Sequence, residues 1–426
     1  MQLKDMTRQE LSAFLDEEIK KYNEFKSRGL TLNMARGKPC DEQLRLSYGM
    51  LDCVTGEDSL NDLDGTDTRN YGGLDGIKSA KKLFADIFDV SENEVIVFGN
   101  SSLNIMYDTL VKAMLFGTGN GAKPWKDCGK IKWLCPVPGY DRHFLITEKL
   151  GFEMINVPCD ENGPDMDVVE KLVAEDSSIK GIWCVPMYSN PTGITYSDEV
   201  VKRMAAMKTA ADDFRIFWDN AYCIHHLSDN HDTLLNLLEE AKKCGNEDRV
   251  YMFASTSKVT FAGGGIAAMS ASEKNIGYIK SLITVQTIGY DKINQLRHVR
   301  FFKDFDGLTE HMKKHAELLA PRFNAVCDAL DSEIKPLGIG KWVRPNGGYF
   351  VSFDAMEGCA KKIVQLCKEA GVELTGAGAT FPYGKDPKDS NIRIAPSFPP
   401  IEELRLAAEV FCIAVKIASA QKLLEA

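Results

Sequence analysis

Lys258 closes the run Ser255-Thr256-Ser257-Lys258, directly after the apolar stretch Val250-Tyr251-Met252-Phe253-Ala254 and ahead of the turn Gly263-Gly264-Gly265. An ammonium at the exit of a buried strand is poorly hydrated, and its pKa can fall toward the range that Schiff-base chemistry needs. Upstream, the apolar run Ile216-Phe217-Trp218 ends in Asp219, with Tyr222 shortly beyond. A carboxylate and a phenol presented beside such a lysine are the groups needed to hold pyridoxal 5′-phosphate (PLP). The carboxylate keeps the pyridinium nitrogen protonated, and the lysine carries the aldehyde.

The elements that must position these residues follow from the hydrophobic pattern. The capping pattern Thr7-x-x-Glu10 opens an amphipathic helix over 7–28, with Leu11, Phe14, Leu15, Ile19, Tyr22 and Phe25 at helical spacing. Short apolar runs then alternate with helical patterns: Val95-Phe98, Ile131-Cys135, Gly181-Pro186, Ile216-Trp218, Val250-Ala254 and Ile266-Ser270. Strands that are apolar on both faces and separated by helices predict a mostly parallel sheet covered on two sides. From about residue 308 the pattern changes to a long helix, the segment 342–351, a helix near 359–370, a loop rich in Gly and Pro, and a final helix from Ile401. The expected organisation is an N-terminal helix and segment (1–50) belonging to a small α+β domain, a large cofactor domain (51–310), and the rest of the small domain (311–426). No internal repeat or low-complexity tract interrupts it.

The 426 residues are 44% hydrophobic and 26% charged, which suits a globular chain large enough for two domains. A net charge of −10 would repel a phosphate backbone, so nucleic acid is not an expected partner. The 12 cysteines form no Cys-x-x-Cys pair, and several lie in apolar runs, which fits reduced core thiols in a cytoplasmic protein. The chain opens with charged, helix-like sequence rather than a signal peptide, and no apolar run is long enough to span a bilayer.

Polar residues gather at the predicted strand ends. Gly99-Asn100-Ser101-Ser102 opens a helix, so hydroxyls and free backbone N–H groups form a candidate phosphate cradle. The next ends offer the ring of Tyr140, the amide of Asn190, then Asp219 and Tyr222, then Ser255, Ser257 and Lys258. Open parallel sheets bind ligands at the carboxyl ends of their strands, and each of these groups is one that PLP could use.

The motifs Asn190-Pro191-Thr192-Gly193, Asp219-x-Ala221-Tyr222, Ser255-x-Ser257-Lys258 and Asn391-Ile392-Arg393-Ile394-Ala395 resemble, in order and approximate spacing, the class I aminotransferases of PLP fold type I. The stretch Asn33-Met34-Ala35-Arg36-Gly37-Lys38-Pro39 and the turn Ala262-Gly263-Gly264-Gly265-Ile266 look most like bacterial aspartate aminotransferases related to regulator-type aminotransferase domains. The resemblance runs from about residue 32 to the C-terminus. It implies an α/β large domain with a mostly parallel, seven-stranded sheet flanked by helices, and a smaller α+β domain. It further implies a PLP-dependent transaminase, with L-aspartate and 2-oxoglutarate the favoured pair.

The roles carried over are these. Lys258 would form the Schiff base and shuttle the proton. Asp219 would pair with the ring nitrogen, Tyr222 and Asn190 would bond the 3′-oxygen, and Tyr140 would stack on the ring. Ser101, Ser102, Ser255 and Ser257 would hold the phosphate, joined by Tyr71 from the other subunit of a homodimer. Arg393 would grip the substrate α-carboxylate with its planar fork, Asn190 would also face substrate, and Gly37 would let the N-terminal segment approach. One departure stands out: such enzymes usually carry a phosphate-clamp arginine shortly beyond the lysine, where this chain reads Gly264-Gly265-Ile266. Arg36, Lys38 and Lys292 are candidates for a distal substrate carboxylate.

Rival readings share the same residues. A β-lyase, an aminotransferase of other specificity, or a non-catalytic PLP-binding regulator domain could use this lysine and sheet, although the chain leaves no room for an attached DNA-binding module before its first helix. As isolated residues, Asp219, Ser101 and Ser102 could be helix caps, and Arg393 could form a structural ion pair. His311 and His315 have metal-pair spacing but enclose Met-Lys-Lys rather than a Glu, which suggests a solvated helix face and no metal site. The segment 117–121 (Gly-Thr-Gly-Asn-Gly) follows a helix and is a loop rather than a dinucleotide fingerprint. Asp62, Asp64 and Asp67 lack the Gly and Glu positions of a calcium loop.

Overall fold

Strands buried on both faces need helices on both, and the large sheet meets that need. The computed structural model describes residues 2–119 and 121–425. Its main sheet runs, edge to edge, Val95–Val97, Ala267–Ala271, Val250–Ser255, Arg215–Asp219, Ile179–Cys184, Lys132–Val137, Glu153–Asp160 and Gly163–Pro164. The strands from Val250–Ser255 through Glu153–Asp160 are parallel neighbours. Ala267–Ala271 is antiparallel to both of its neighbours. The sheet therefore has 8 strands rather than the 7 expected, the addition being the two-residue Gly163–Pro164 antiparallel to the end of Glu153–Asp160. Glu153–Asp160 carries no continuous apolar run because it is only intermittently buried, as suits its place near the edge.

Alternation along each central strand sends successive side chains to opposite faces. Ile216, Trp218, Val250 and Met252 pack toward the helices Lys78–Phe88, Asp198–Ala206 and Leu237–Lys243. Phe217, Tyr251 and Phe253 face the other way, onto a layer with Trp133, Trp183 and the helix Ser102–Phe116. Gly181 lies where Trp133 crosses the sheet; a Cβ there would stand 2.4 Å from the indole, so a side chain would evict the tryptophan.

The second layer system joins the two chain ends. Gly340–Trp342, Val351–Ala355 and Asn391–Ile394 form an antiparallel sheet, with Ser352 opposite Arg393. Leu32–Asn33 pairs in parallel with Val372–Glu373. The helix Arg8–Ser27, closed by the expected Thr7–Glu10 capping box, packs on Ile401–Glu425, and Tyr22 Oη donates to the Leu366 carbonyl at 2.9 Å. The long helix Phe305–Glu333 completes this core through Leu319, Phe323, Val326 and Leu330.

Candidate active site

Three strand ends converge on Lys258. Its backbone follows Val250–Ser255, and its Nζ lies 5.0 Å from the Tyr222 ring centroid and 6.0 Å from that of Tyr349. Among the described residues this Nζ has no hydrogen bond or ion pair. Burial lowers the Lys258 pKa, and the nearby Asp219 charge opposes that shift without cancelling it. The amine is thus poised toward its neutral, nucleophilic form.

Asp219 ends the neighbouring strand and is buried. His143 Nε2 donates to its Oδ2 at 3.0 Å, whereas Oδ1 is buried with no partner. An unpaired oxygen on a buried carboxylate is costly unless a donor is supplied from outside the chain. His143 is stacked on Trp183 at 4.3 Å and 11°, which fixes the plane from which it donates. The sequence reading missed His143. The available signal was its position three residues after Tyr140, on one face of the helix Asp141–Lys149.

Tyr140 meets His143 edge-on at 4.9 Å, and its phenol is pushed up to about 12, by burial first and then by the Asp219 and Asp141 charges. Burial likewise lifts the Tyr222 phenol well above its ordinary value, so both act as neutral donors at physiological pH. Arg393, in the small sheet, is clamped on one side only. Its Nη1 reaches Asp141 Oδ1 at 2.9 Å and Asn190 Oδ1 at 3.2 Å, and Nη2 reaches Thr375 Oγ1 at 3.3 Å. The Nε is buried and unpartnered, and the guanidinium lies 4.9 Å over the Phe350 ring. The ion pair raised as a rival thus exists, with Asp141, yet it leaves the Nε side of the fork open. Gly37 packs against the same phenylalanine; a Cβ would stand 2.3 Å from the ring.

At the neighbouring end, Ser101 is the N-cap of Ser102–Phe116 and its side chain makes no capping bond. The helix-cap rival for Ser101 is therefore not realised, and its hydroxyl and the first-turn N–H groups are free to face an anion. Ser255 Oγ donates to Ser257 Oγ, which donates to the Asn100 carbonyl, both at 3.1 Å, tying the two hydroxyl clusters together. Tyr71 stands apart, 83% exposed. Lys292, a candidate for a distal carboxylate, already spends two of its three N–H donors inside the chain. It is buried, and its Nζ donates to the carbonyls of Asn70 at 2.6 Å and Gly72 at 2.7 Å, because a desolvated ammonium takes the nearest acceptors. Arg36 and Lys38 are exposed, Lys38 lying over Phe398 at 4.0 Å.

His311 and His315 overturn the expectation of a solvated helix face. Both are buried, His311 Nε2 lies 2.9 Å from the Val259 carbonyl, and His315 Nδ1 lies 3.0 Å from Gln43 Nε2. The face of the long helix that carries them packs against the Lys258 segment, and the Lys313 and Lys314 between them point elsewhere. Asp62 binds the Ser79 backbone N–H at 3.0 Å rather than contributing to a calcium loop. Asn120 of the glycine-rich loop lies outside the described residues.

These buried histidines make a pH prediction. Burial lowers His315 to about 3 and His298 to about 4 from 6.5. Their folded values are depressed, so the unfolded chain binds more protons below pH 6.5, and their contribution is complete above 6.5 and is lost as pH falls toward 4 and 3. At pH 5 each removes about 2 kcal/mol of unfolding free energy. Urea denaturation at pH 7.5 and 5 should show that loss, reduced in His315→Gln; an unchanged slope in the variant would refute the assignment.

A mostly parallel sheet whose strand ends carry a lysine and a carboxylate, together with a half-open arginine from the small sheet, places the chain among aminotransferases of fold type I. The family model described as aspartate amino-transferase matches residues 6–426. The chain belongs to that family. It is 44% identical over 419 residues to an aspartate aminotransferase of Corynebacterium glutamicum, covering 98% of this chain and 96% of that protein. A crystal structure of an aspartate transaminase from Corynebacterium glutamicum superposes with a TM-score of 0.97 at 43% identity, covering 99% of both chains. That of a putative aminotransferase from Corynebacterium diphtheriae gives 0.93 at 47%, covering 95% of this chain and 100% of the other. An α-aminoadipate aminotransferase from Thermus thermophilus shares the fold at 20% identity, with a TM-score of 0.74 over 95% of both chains. The chain is thus an aminotransferase. No helix among the described residues is long and apolar enough to cross a membrane.

Proposed function

We propose that the chain uses PLP to exchange an amino group between L-aspartate and 2-oxoglutarate by a ping-pong route. The observation that carries this reading is a set of unsatisfied hydrogen-bonding groups: Asp219 Oδ1 and Arg393 Nε are buried without partners, and the buried Lys258 ammonium lies within the field of the Asp219 charge. A protonated ring nitrogen, a carboxylate and an aldehyde would satisfy them in turn. PLP, when bound, supplies the aldehyde and an electron-withdrawing ring. Lys258 Nζ would hold the aldehyde carbon and, when the substrate amine takes that place, would be positioned to move the proton removed from the substrate Cα. Asp219, held by His143, keeps the ring nitrogen protonated, and Tyr222 with the Asn190 amide donates to the ring oxygen. Tyr140 covers the ring face, while Ser101, Ser102, Ser255, Ser257 and the helix N-terminus hold the phosphate. Arg393 receives the α-carboxylate on its open side, with Asn190 and Gly37 shaping that approach. The aspartate preference rests on the names of the relatives.

The test is the absorbance spectrum of the purified protein before and after aspartate is added without an acceptor. A visible band that collapses on addition is expected; a band indifferent to aspartate rejects the donor, and no band rejects the cofactor. Release of pyruvate and ammonia without an oxo acid would instead favour the lyase, and cofactor binding without any turnover would favour the regulator.

The division at residues 50 and 310, a cytoplasmic location and a homodimer belong to the same proposal. Support for the dimer comes from exposed Tyr71, Val285 and Ile288, brought to one region because Gly289 packs against the Gly72 carbonyl. Sedimentation velocity should give a dimer that Tyr71→Ala leaves intact but weakens in cofactor retention. A fully active monomer would sink the idea.

A further inference from the structure

Tyr349 is wholly buried and meets Lys258 at both ends. Its Oη donates to the Lys258 carbonyl at 3.3 Å, and its ring centroid lies 6.0 Å from Lys258 Nζ. The same ring lies 6.0 Å from that of Tyr222, which flanks the amine at 5.0 Å. Burial lifts the Tyr349 phenol above its ordinary value, so it stays protonated and can donate. A buried tyrosine that only fills a core needs one partner for its hydroxyl. Here the main chain and the amine of one lysine are both met, which constrains where that side chain starts and where it ends.

The phenol is itself held in place. Gln43 Nε2 donates to Tyr349 Oη at 2.9 Å, and Gln43 Oε1 accepts the Cys40 backbone N–H at 3.1 Å, at the start of the helix Asp41–Arg45. A flipped amide would set two donors against each other, so the Gln43 orientation is fixed. His315 Nδ1 stands 3.0 Å from the same Nε2. His311 Nε2, 3.1 Å from His315 Nε2, reaches the Val259 carbonyl at 2.9 Å. The successive carbonyls of Lys258 and Val259 are thus held by one buried network that draws on the N-terminal segment and the long helix. The segment leading into Tyr349 is seated as well. Gly348 N–H donates to the His225 carbonyl at 2.8 Å, and Leu227 N–H to the Asn346 carbonyl at 2.9 Å. Gly347 packs on Tyr188, where a Cβ would stand 2.2 Å from the ring.

We infer that Tyr349 is a positioning residue for Lys258, holding its carbonyl through the phenol and flanking its amine with the ring, and that Gln43 orients the phenol for this task. The inference deepens the transamination proposed above and rests on that reading for its effect on turnover. Tyr349→Phe, Gln43→Leu and the double variant test it by two readouts on the full chain. In turnover with aspartate, kcat should fall about 10-fold in each single variant with KM within about twofold of the parent, and the double variant should be no worse than the worse single. In hydrogen–deuterium exchange, amides of 256–260 should exchange about 10-fold faster while those of Val351–Ala355 stay as in the parent. Exchange at 256–260 that matches the parent, or that rises no more than at Val351–Ala355, would overturn the inference, because Tyr349 would then serve packing alone. A kcat within about twofold of the parent in the single variants would overturn it too. A parent that binds no PLP would overturn the underlying reading instead, and the exchange comparison would still decide whether Tyr349 holds the lysine. Gln43→Leu leaves both rings beside the amine, so the test survives a Tyr349→Phe variant that does not fold.

Discussion

Lys258→Ala is expected to lower transamination with aspartate by at least about 10⁴-fold, because in the proposed function one atom is both the group that bonds the cofactor and the base that moves the Cα proton. The same substitution should not unfold the protein. Lys258 Nζ has no hydrogen bond among the described residues, and burial works against its charge, so removing it relieves a desolvated ammonium rather than breaking a network. Thermal midpoints of parent and variant apoprotein should therefore agree, or the variant should be the higher. Single-turnover absorbance with aspartate reads the chemical step directly. Appreciable turnover by a folded variant would reject Lys258 as the nucleophile, and a large drop in midpoint would mean that its role is structural.

Asp219→Asn should be the next most damaging change, about 10²- to 10⁴-fold in kcat/KM. That range corresponds to the 3–5 kcal/mol lost when one partner of a buried charge pair is removed. The variant keeps the shape and can still meet His143, which reaches Oδ2 at 3.0 Å in the parent. What it loses is the negative charge at Oδ1, the oxygen with no partner inside the chain. The loss should appear mainly in kcat and in the pH at which the visible band titrates, with a smaller change in the KM for aspartate. A variant altered in KM alone would point to a substrate-binding role for Asp219 and away from the ring nitrogen.

Much of this architecture was legible before any coordinates. The apolar runs ending at Asp219 and Ser255 are strands because they are buried on both faces, and burial on both faces leaves an unbroken hydrophobic signature. Glu153–Asp160 and the short Gly163–Pro164 left no such signature, being near or at the sheet edge. The helix Arg8–Ser27 announced itself through a capping box, a contact between residues three apart that needs no tertiary partner. Lys258, Asp219, Asn190 and Arg393 could be named because each lies in a short run whose chemistry is local.

The misjudged residues share a different property: their roles depend on partners far away in the chain. Lys292 was a free cation on paper, and it became an anchor because the carbonyls of Asn70 and Gly72 come to lie beside it. His311 and His315 had the spacing of a polar helix face, and packing against Val259 and Gln43 turned that face inward. His143 beneath Asp219, and Asp141 and Thr375 around Arg393, were invisible for the same reason.

The sequence by itself determined the fold class and the family resemblance and singled out Lys258 as the proposed reactive lysine, because hydrophobic period, caps and strand-end motifs act over a few residues. Only the tertiary structure decided which cations are already satisfied and which buried oxygens and nitrogens stay open. Hydrogen-bond satisfaction is a property of groups that meet in space, whatever their separation along the chain.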